Sequence, residues 1–185
     1  LDGDWKFNWV EHANQRPTDF FRTDYDDSQW KTLHVPGIWE MNGYGDPVYV
    51  NVGFAWRGNF KNNPPEVPIQ DNHVGSYRRT ITIPDTWTGK QVIAHFGSVT
   101  SCIYLWVNGK FVGYSEDSKI GPEFDITKYL RRVKTSLLFK SSDGRMAVIV
   151  RIRTSGDLAV LHVKVTFMHV MRSNTWMTSV LLLTS

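Results

Sequence analysis

The dipeptide Asn108-Gly109, set between the runs Ile103–Val107 and Phe111–Tyr114, constrains the fold of this chain more than any other feature. Both flanking runs are rich in β-branched and aromatic residues. A two-residue connection of type I′ needs positive φ at both central positions, and Asn-Gly meets that demand at the least steric cost. The hairpin implies a sheet, and other segments repeat the period-two alternation of a half-buried strand. Trp5, Phe7 and Trp9 alternate with Asp4, Lys6 and Asn8. Arg79, Ile81 and Ile83 alternate with Arg78, Thr80 and Thr82, and Pro84 stops the run. Gln91–Phe96 is a short apolar run ended by Gly97.

Turn-forming clusters separate these runs at 24–28, 42–47 and 62–68. No helical periodicity of useful length is present, only a short turn over Asp125–Leu130 with Asp125 as its expected cap. Short strands with Gly/Pro turns between them predict an all-β fold, a jelly-roll β-sandwich. The stretch from Asn42 to His73 is long for a sandwich loop, and such loops are often functional.

Size and composition fit one domain with an appendage. The chain has 185 residues, 41% of them hydrophobic, enough to bury a core. No run of 18 apolar residues is present, so no helical membrane span and no membrane partner is expected. The single cysteine, Cys102, excludes an internal disulfide. The chain starts at Leu1 without a methionine or signal pattern, which reads as a fragment or a trimmed product. Charge is uneven. Residues 1–132 hold 14 Lys+Arg against 16 Asp+Glu, whereas residues 133–185 hold 7 against 2. All eight prolines and all seven tyrosines precede residue 130, and four of the five methionines follow it. The basic residues of the tail are scattered and form no patch, so nucleic acid is not expected as a partner.

Few residues point to chemistry. Seven tryptophans fall in the first 106 residues. Aromatic faces stack on the C–H faces of sugars, but strand-borne Trp5 and Trp9 read as core. Trp39 and Trp56, in or beside loops, read as more open. Asp24, Asp26 and Asp27 lack the later glycine and glutamate of a calcium loop and read as a solvated turn. The six histidines have no zinc-ligand spacing. There is no nucleophile elbow and no pair of carboxylates that stands out as acid and nucleophile. No catalytic residue and no metal ligand is expected within the chain.

Five ordered motifs add what composition and periodicity do not contain. L-D-G-D-W-K-F at Leu1–Phe7 resembles the opening of glycoside hydrolase family 2. V-P-G-I-W-E-M-N-G-Y-G-D-P-V-Y-V-N-V at Val35–Val52 is similar to that family's β-galactosidase branch, as is N-N-P-P-E-V-P at Asn62–Pro68. W-V-N-G-K-F-V-G-Y-S-E-D-S at Trp106–Ser118 and E-F-D-I-T-K-Y-L at Glu123–Leu130 match the next landmarks in order. The resemblance runs over residues 1–131 and favours a galactosidase over a glucuronidase, a mannosidase or a free-standing carbohydrate-binding module.

The resemblance implies the amino-terminal sugar-binding jelly roll of a multidomain enzyme that hydrolyses terminal β-D-galactosyl residues. Its catalytic glutamates and magnesium site would lie far downstream. The full-length enzyme would use Mg and Na, take a β-galactoside as substrate and form a homo-oligomer. The asparagine of the family's "Y-x-N-V" motif matches Asn51, the one substrate-binding residue implied here. Its amide offers both a donor and an acceptor to a sugar hydroxyl.

After Leu130 the resemblance stops. Residues 132–185 do not continue with the family's "P-G-x-N", "F-R-W" and "D-G-S-Y-x-E-D-Q-D-x-W-R". One base lost near Arg132 would account for this: with wobble bases chosen to suit the family, a restored frame fits those landmarks in order, with E-D-Q-D-F-W-R drawn from the codons of Arg151–Asp157. The bland alternative is a genuine second element, since Leu158–Met171 also looks strand-like. Under the frameshift reading, the family aspartate that contacts galactose and sodium would fall at the Arg153–Thr154 junction and is missing from the polypeptide. That reading expects a sandwich lacking its native closing strands, with unpaired edges and low stability.

Overall fold

A computed structural model describes residues 1–46, 66, 68–100, 102–116, 120–131, 135–142, 160–161 and 165–170. Among these the fold is all-β, with four single 3-10 turns and no α-helix. The strands are β1 (Gly3–Val10), β2 (Lys31–Val35), β3 (Gly37–Ile38), β4 (Val74–Ile81), β5 (Gln91–Phe96), β6 (Cys102–Val107), β7 (Lys110–Ser115), β8 (Glu123–Asp125), β9 (Thr135–Ser142), β10 (Val160–Leu161) and β11 (Val165–Val170). A six-stranded sheet runs β2-β1-β4-β9-β6-β7, a three-stranded sheet runs β11-β5-β8, and β10 pairs with β3. The pairings are antiparallel.

One apolar core joins the two larger sheets into a sandwich. Trp5, Phe7, Leu33, Val35, Tyr77, Leu105 and Leu137 of the large sheet pack in one cluster with Val92, Ala94, Phe96 and Phe124 of the small one. Each large apolar side chain so buried stabilises the fold by about 1.5–3 kcal/mol relative to exposure. The expected alternation of β1 is present: Trp5 and Phe7 are buried, while Asp4 and Lys6 are exposed. Strand β4 starts earlier than its alternation shows, at Val74, because Val74–Tyr77 pair with β1 on one side and β9 on the other.

The Asn108-Gly109 turn forms as its sequence requires, with φ of 51° and 81°. Asn108 does more than turn. Its Nδ2 donates to the Tyr129 carbonyl (2.7 Å), and its Oδ1 accepts from the Ser136 amide (3.0 Å). The hairpin tip is thereby tied to β9 and to the turn before it. Asn108→Ala removes two hydrogen bonds and strains a left-handed residue. We expect a loss of about 2 kcal/mol in urea unfolding, with Asn108→Asp recovering only the bond that an oxygen can accept.

Two features depart from expectation. The turn near Asp125 is a 3-10 turn over Thr127–Tyr129 capped at Ile126. Asp125 lies one residue earlier, where its carboxylate accepts from the Thr127 amide (3.0 Å) and from Gln91 Nε2 (2.8 Å). The hydrogen bond from Thr127, with the smaller help of Gln91, holds its carboxyl below the ordinary carboxylate value against the opposing effect of desolvation. The second departure concerns the expected open edges. Thr135–Ser142 forms β9, which lies inside the large sheet and pairs with both β4 and β6. Leu137 faces the core and Leu138 is buried against the opposite face.

Candidate functional site

The part of the chain with the strongest functional expectation, residues 47–65, is framed at both ends by described structure. Asn51 itself, Trp56 and most of Asn62–Pro68 lie outside the described residues, as does the Arg153–Thr154 junction. What is visible is how the segments leading into and out of this loop are held.

The leading segment is fixed by aromatic packing. After the cis Val35-Pro36 bond the chain forms β3 and then a 3-10 turn over Glu40–Asn42. The Asn42 and Tyr44 amides both donate to the Trp39 carbonyl, at 2.8 and 3.1 Å, and Asn42 Nδ2 donates to the Ile38 carbonyl at 2.8 Å. Gly43 closes the turn with φ of 80°. Trp39 is 2% exposed and donates its indole N–H to the Tyr77 hydroxyl. Phe7 meets Tyr77, Tyr44 and Trp39 with ring centroids 4.7, 4.9 and 6.0 Å away. Trp39 was expected to be open, and its burial corrects that reading. The reason is Gly75 on β4: a Cβ there would lie 2.3 Å from Trp39 Cζ2, so the missing side chain is the seat of the indole.

The returning segment is tied to the end of β1. Asn72 is 4% exposed and donates to the Pro68 carbonyl at 2.8 Å. The Asp71 amide donates to His12 Nδ1 (3.3 Å), and the Ala13 amide donates to the Ile69 carbonyl (3.1 Å). Between the two segments Trp9 packs against His73 (5.1 Å) and Tyr44 (6.1 Å). The Trp9 indole N–H is buried with no acceptor among the described residues, a rare state for a polar atom. Burial raises the Tyr44 phenol above its ordinary value. The segments that precede and follow residues 47–65 therefore meet at one aromatic cluster of Phe7, Trp9, Tyr44 and His73.

The acidic turn behaves as local structure. Asp24 pairs with Arg22 (2.8 Å), Asp26 accepts from the Ser28 amide (2.9 Å), and Asp27 pairs with Arg78 (2.7 Å). Among the described residues no group of three His, Cys, Asp or Glu side chains could hold a metal ion. The Arg78–Asp27 pair was not legible from sequence spacing, because its members stand 51 residues apart.

Comparison with known proteins gives these features a context. The family model described as "Glycosyl hydrolases family 2, sugar binding domain" matches residues 1–153. The chain is 42% identical over 129 residues to a β-galactosidase of Halalkalibacterium halodurans, covering 70% of this chain and 13% of that protein. It is 40% identical over 147 residues to one from Lactobacillus delbrueckii subsp. bulgaricus, covering 78% and 14%. The solved β-glucuronidase of Bacteroides uniformis shares the fold with a TM-score of 0.59 at 22% identity, over 84% of this chain and 16% of that one. A β-glycosidase from Bacteroides vulgatus does so at 0.54 and 28%, over 76% and 16%. The chain thus spans about one seventh of the curated relatives it matches.

Proposed function

The chain belongs to glycosyl hydrolase family 2, through that family's sugar-binding domain, and from that membership we propose that it serves a β-galactosidase by contacting substrate without supplying the catalytic glutamates. The observation that carries this is the identity to β-galactosidases of 42% over 70% of the chain. The ordered motifs at Val35–Val52 and Asn62–Pro68 favour the same branch. Hydrolysis of a terminal β-D-galactosyl residue with retention needs an acid/base carboxyl and a nucleophilic carboxylate about 5 Å apart. In the proposed enzyme both come from a catalytic domain beyond this chain.

The role proposed for this chain is positioning. Asn51, on the loop anchored by Trp39, Tyr44 and Asn72, would read a galactose hydroxyl through its amide, which donates and accepts. The Mg site implied for the full-length enzyme is proposed to lie beyond this chain. The described residues contain no metal-binding group, and the aspartate that the resemblance assigns to sodium is not encoded in this frame. No step is derived through either ion. A β-galactoside is the proposed partner of the full-length homo-oligomer.

Residues 1–131 form the proposed sugar-binding unit and residues 132–185 a proposed out-of-frame tail. The composition break and the ordered landmarks of the restored frame support that boundary. Asn51 then acts without its aspartate, so galactose affinity should be slight. Titration of the 185-residue chain with galactose, followed by tryptophan fluorescence, should show no saturation below millimolar concentrations. A sub-millimolar Kd would contradict this assignment.

A further inference from the structure

The sequence holds two Asn-Gly dipeptides, Asn42-Gly43 and Asn108-Gly109. We propose that the first is a site of spontaneous deamidation through a succinimide, and that the fold protects the second. The product is an aspartyl or isoaspartyl residue in the turn that leads into residues 47–65. This inference is independent of the role proposed for Asn51.

The dipeptide sets the chemistry. The glycine backbone nitrogen, having given its proton to a solvent base, attacks the side-chain amide carbon of the asparagine. The new C–N bond closes a five-membered succinimide, and the side-chain nitrogen takes up a proton and leaves as ammonia. Water then opens the ring at either carbonyl, giving aspartate or isoaspartate. No oxidant or reductant takes part. Glycine is the least hindered nucleophile for this step, since no Cβ stands beside the attacking nitrogen. The two dipeptides are chemically alike, so any difference between them comes from structure.

Asn42 is held by local bonds. Its Nδ2 donates to the Ile38 carbonyl four residues back (2.8 Å), and the Gly43 amide donates to the Glu40 carbonyl (3.2 Å). Both bonds belong to a single 3-10 turn, Glu40–Asn42, and hydrogen bonds of that type have poorer geometry than those of an α-helix. Opening the turn frees the nucleophile and the carbon it attacks together. In the 185-residue chain Asn42 and Gly43 are exposed, so water reaches both. Nothing lies within 4 Å of the Cβ position of Gly43 to oppose the closing ring.

Asn108 is held by distant segments. It is 8% exposed. Its Oδ1 accepts from the Ser136 amide 28 residues on, and its Nδ2 donates to the Tyr129 carbonyl 21 residues on. Its own amide donates to the Ser136 carbonyl at 2.9 Å. A Cβ on Gly109 would lie 3.6 Å from the Phe21 carbonyl oxygen and from Thr23 Cγ2, so the segment between β1 and β2 lies against the turn. Attack at Asn108 requires the hairpin tip to leave β9, an opening much closer to global unfolding.

Modification at residue 42 has a structural consequence. Isoaspartate adds one main-chain methylene before the Gly43 nitrogen. The Nδ2 donor to the Ile38 carbonyl is lost and an anion takes its place. The backbone bonds from Gly43 to Glu40 and from Tyr44 to Trp39 depend on the spacing of this turn, so the segment entering residues 47–65 should loosen.

The test incubates the 185-residue chain at neutral pH, both folded and in urea. Peptides containing residues 42 and 108 are mapped by mass spectrometry, with chromatographic separation of the aspartyl and isoaspartyl forms. In the folded chain, conversion at Asn42 should run about tenfold or more faster than at Asn108, because local opening outpaces global opening. In urea the two rates should converge. Asn42→Gln, whose longer side chain must close a six-membered ring, and Gly43→Ala should each suppress conversion at residue 42. Since a φ of 80° at Gly43 disfavours alanine, Asn42→Gln is the variant that keeps the turn glycine. Amide exchange at Tyr44 should be faster in the isoaspartyl fraction than in the unmodified chain. Equal rates at the two sites in the folded chain, or faster conversion at Asn108, would overturn the inference. So would an unmodified Asn42 over a period in which the chain in urea converts at both sites. Unchanged exchange at Tyr44 in the isoaspartyl fraction would overturn the loosening.

Discussion

Trp39→Ala should cost the sandwich about 4 kcal/mol, the upper range for deleting a buried aromatic side chain. Three losses coincide at this site. The indole is 2% exposed, so the full cavity term applies. Its N–H bond to the Tyr77 hydroxyl disappears. The Phe7 ring loses one wall of its box. The reciprocal change is Gly75→Ala, whose Cβ would overlap Trp39 Cζ2 at 2.3 Å and Phe7 Cε2 at 2.9 Å. Overpacking of this kind costs about 1–3 kcal/mol. The two changes should not be additive. In the Trp39→Ala background the new methyl enters vacated space, and Gly75→Ala should cost at least 1 kcal/mol less than in the wild type. Urea unfolding of the four proteins of the cycle measures this. Strict additivity would mean that Gly75 does not seat the indole. Because Trp39 also fixes residues 39–46, amide exchange there should quicken in Trp39→Ala before global unfolding does.

Arg78→Ala should cost about 3 kcal/mol, in the range for breaking a largely buried ion pair. Arg78 is on the face of β4 that points away from the core, yet it is 8% exposed. The segment between β1 and β2 crosses over it. Nε donates to Asp27 at 2.7 Å, and Nη1 donates to the carbonyls of Phe20 and Arg22, the latter at 3.0 Å. Tyr25 lies 5.4 Å from the guanidinium and adds a cation–π contact. Asp27 keeps part of its contact with water, since its side chain is 31% exposed, so the cost should fall short of that for a fully buried pair. Arg78→Lys should recover less than half of the loss, because a single ammonium cannot reach a carboxylate and two carbonyls in the geometry of a planar fork. Full rescue by lysine in thermal unfolding would show that charge alone holds the crossing segment.

These two positions mark where sequence reasoning ran out. The hairpin at Asn108-Gly109, the face of Trp5 and Phe7, and the limits of β5 follow from local preferences and period two, so they were legible. Trp39 was misread as open because its burial depends on an absent side chain at Gly75, far along the chain. Arg78 reads as an exposed strand residue because alternation says which way it points, not what covers it. The shared face of Phe111 and Tyr114 was hidden by the bulge at Val112, which reverses the parity that strand alternation assumes. The tail after Arg132 was expected to leave strand edges unpaired, yet Thr135–Ser142 within it pairs on both sides. Backbone pairing tolerates many sequences, provided that apolar residues such as Leu137 and Leu138 meet the buried surfaces. Asn51 lies outside the described residues, and its proposed role rests on the family motif alone, since an isolated loop asparagine has no distinguishing physical signature.

We propose that this chain is the sugar-contacting part of a β-galactosidase whose frame is lost near Arg132. Reading the encoding DNA from codon 125 to several hundred codons past Ser185 tests it most directly. The account predicts that one restored base near codon 132 opens a second frame that runs through E-D-Q-D-F-W-R and on into a catalytic domain with paired glutamates. A nucleotide sequence incompatible with those landmarks in any frame, with no such domain downstream, would contradict it.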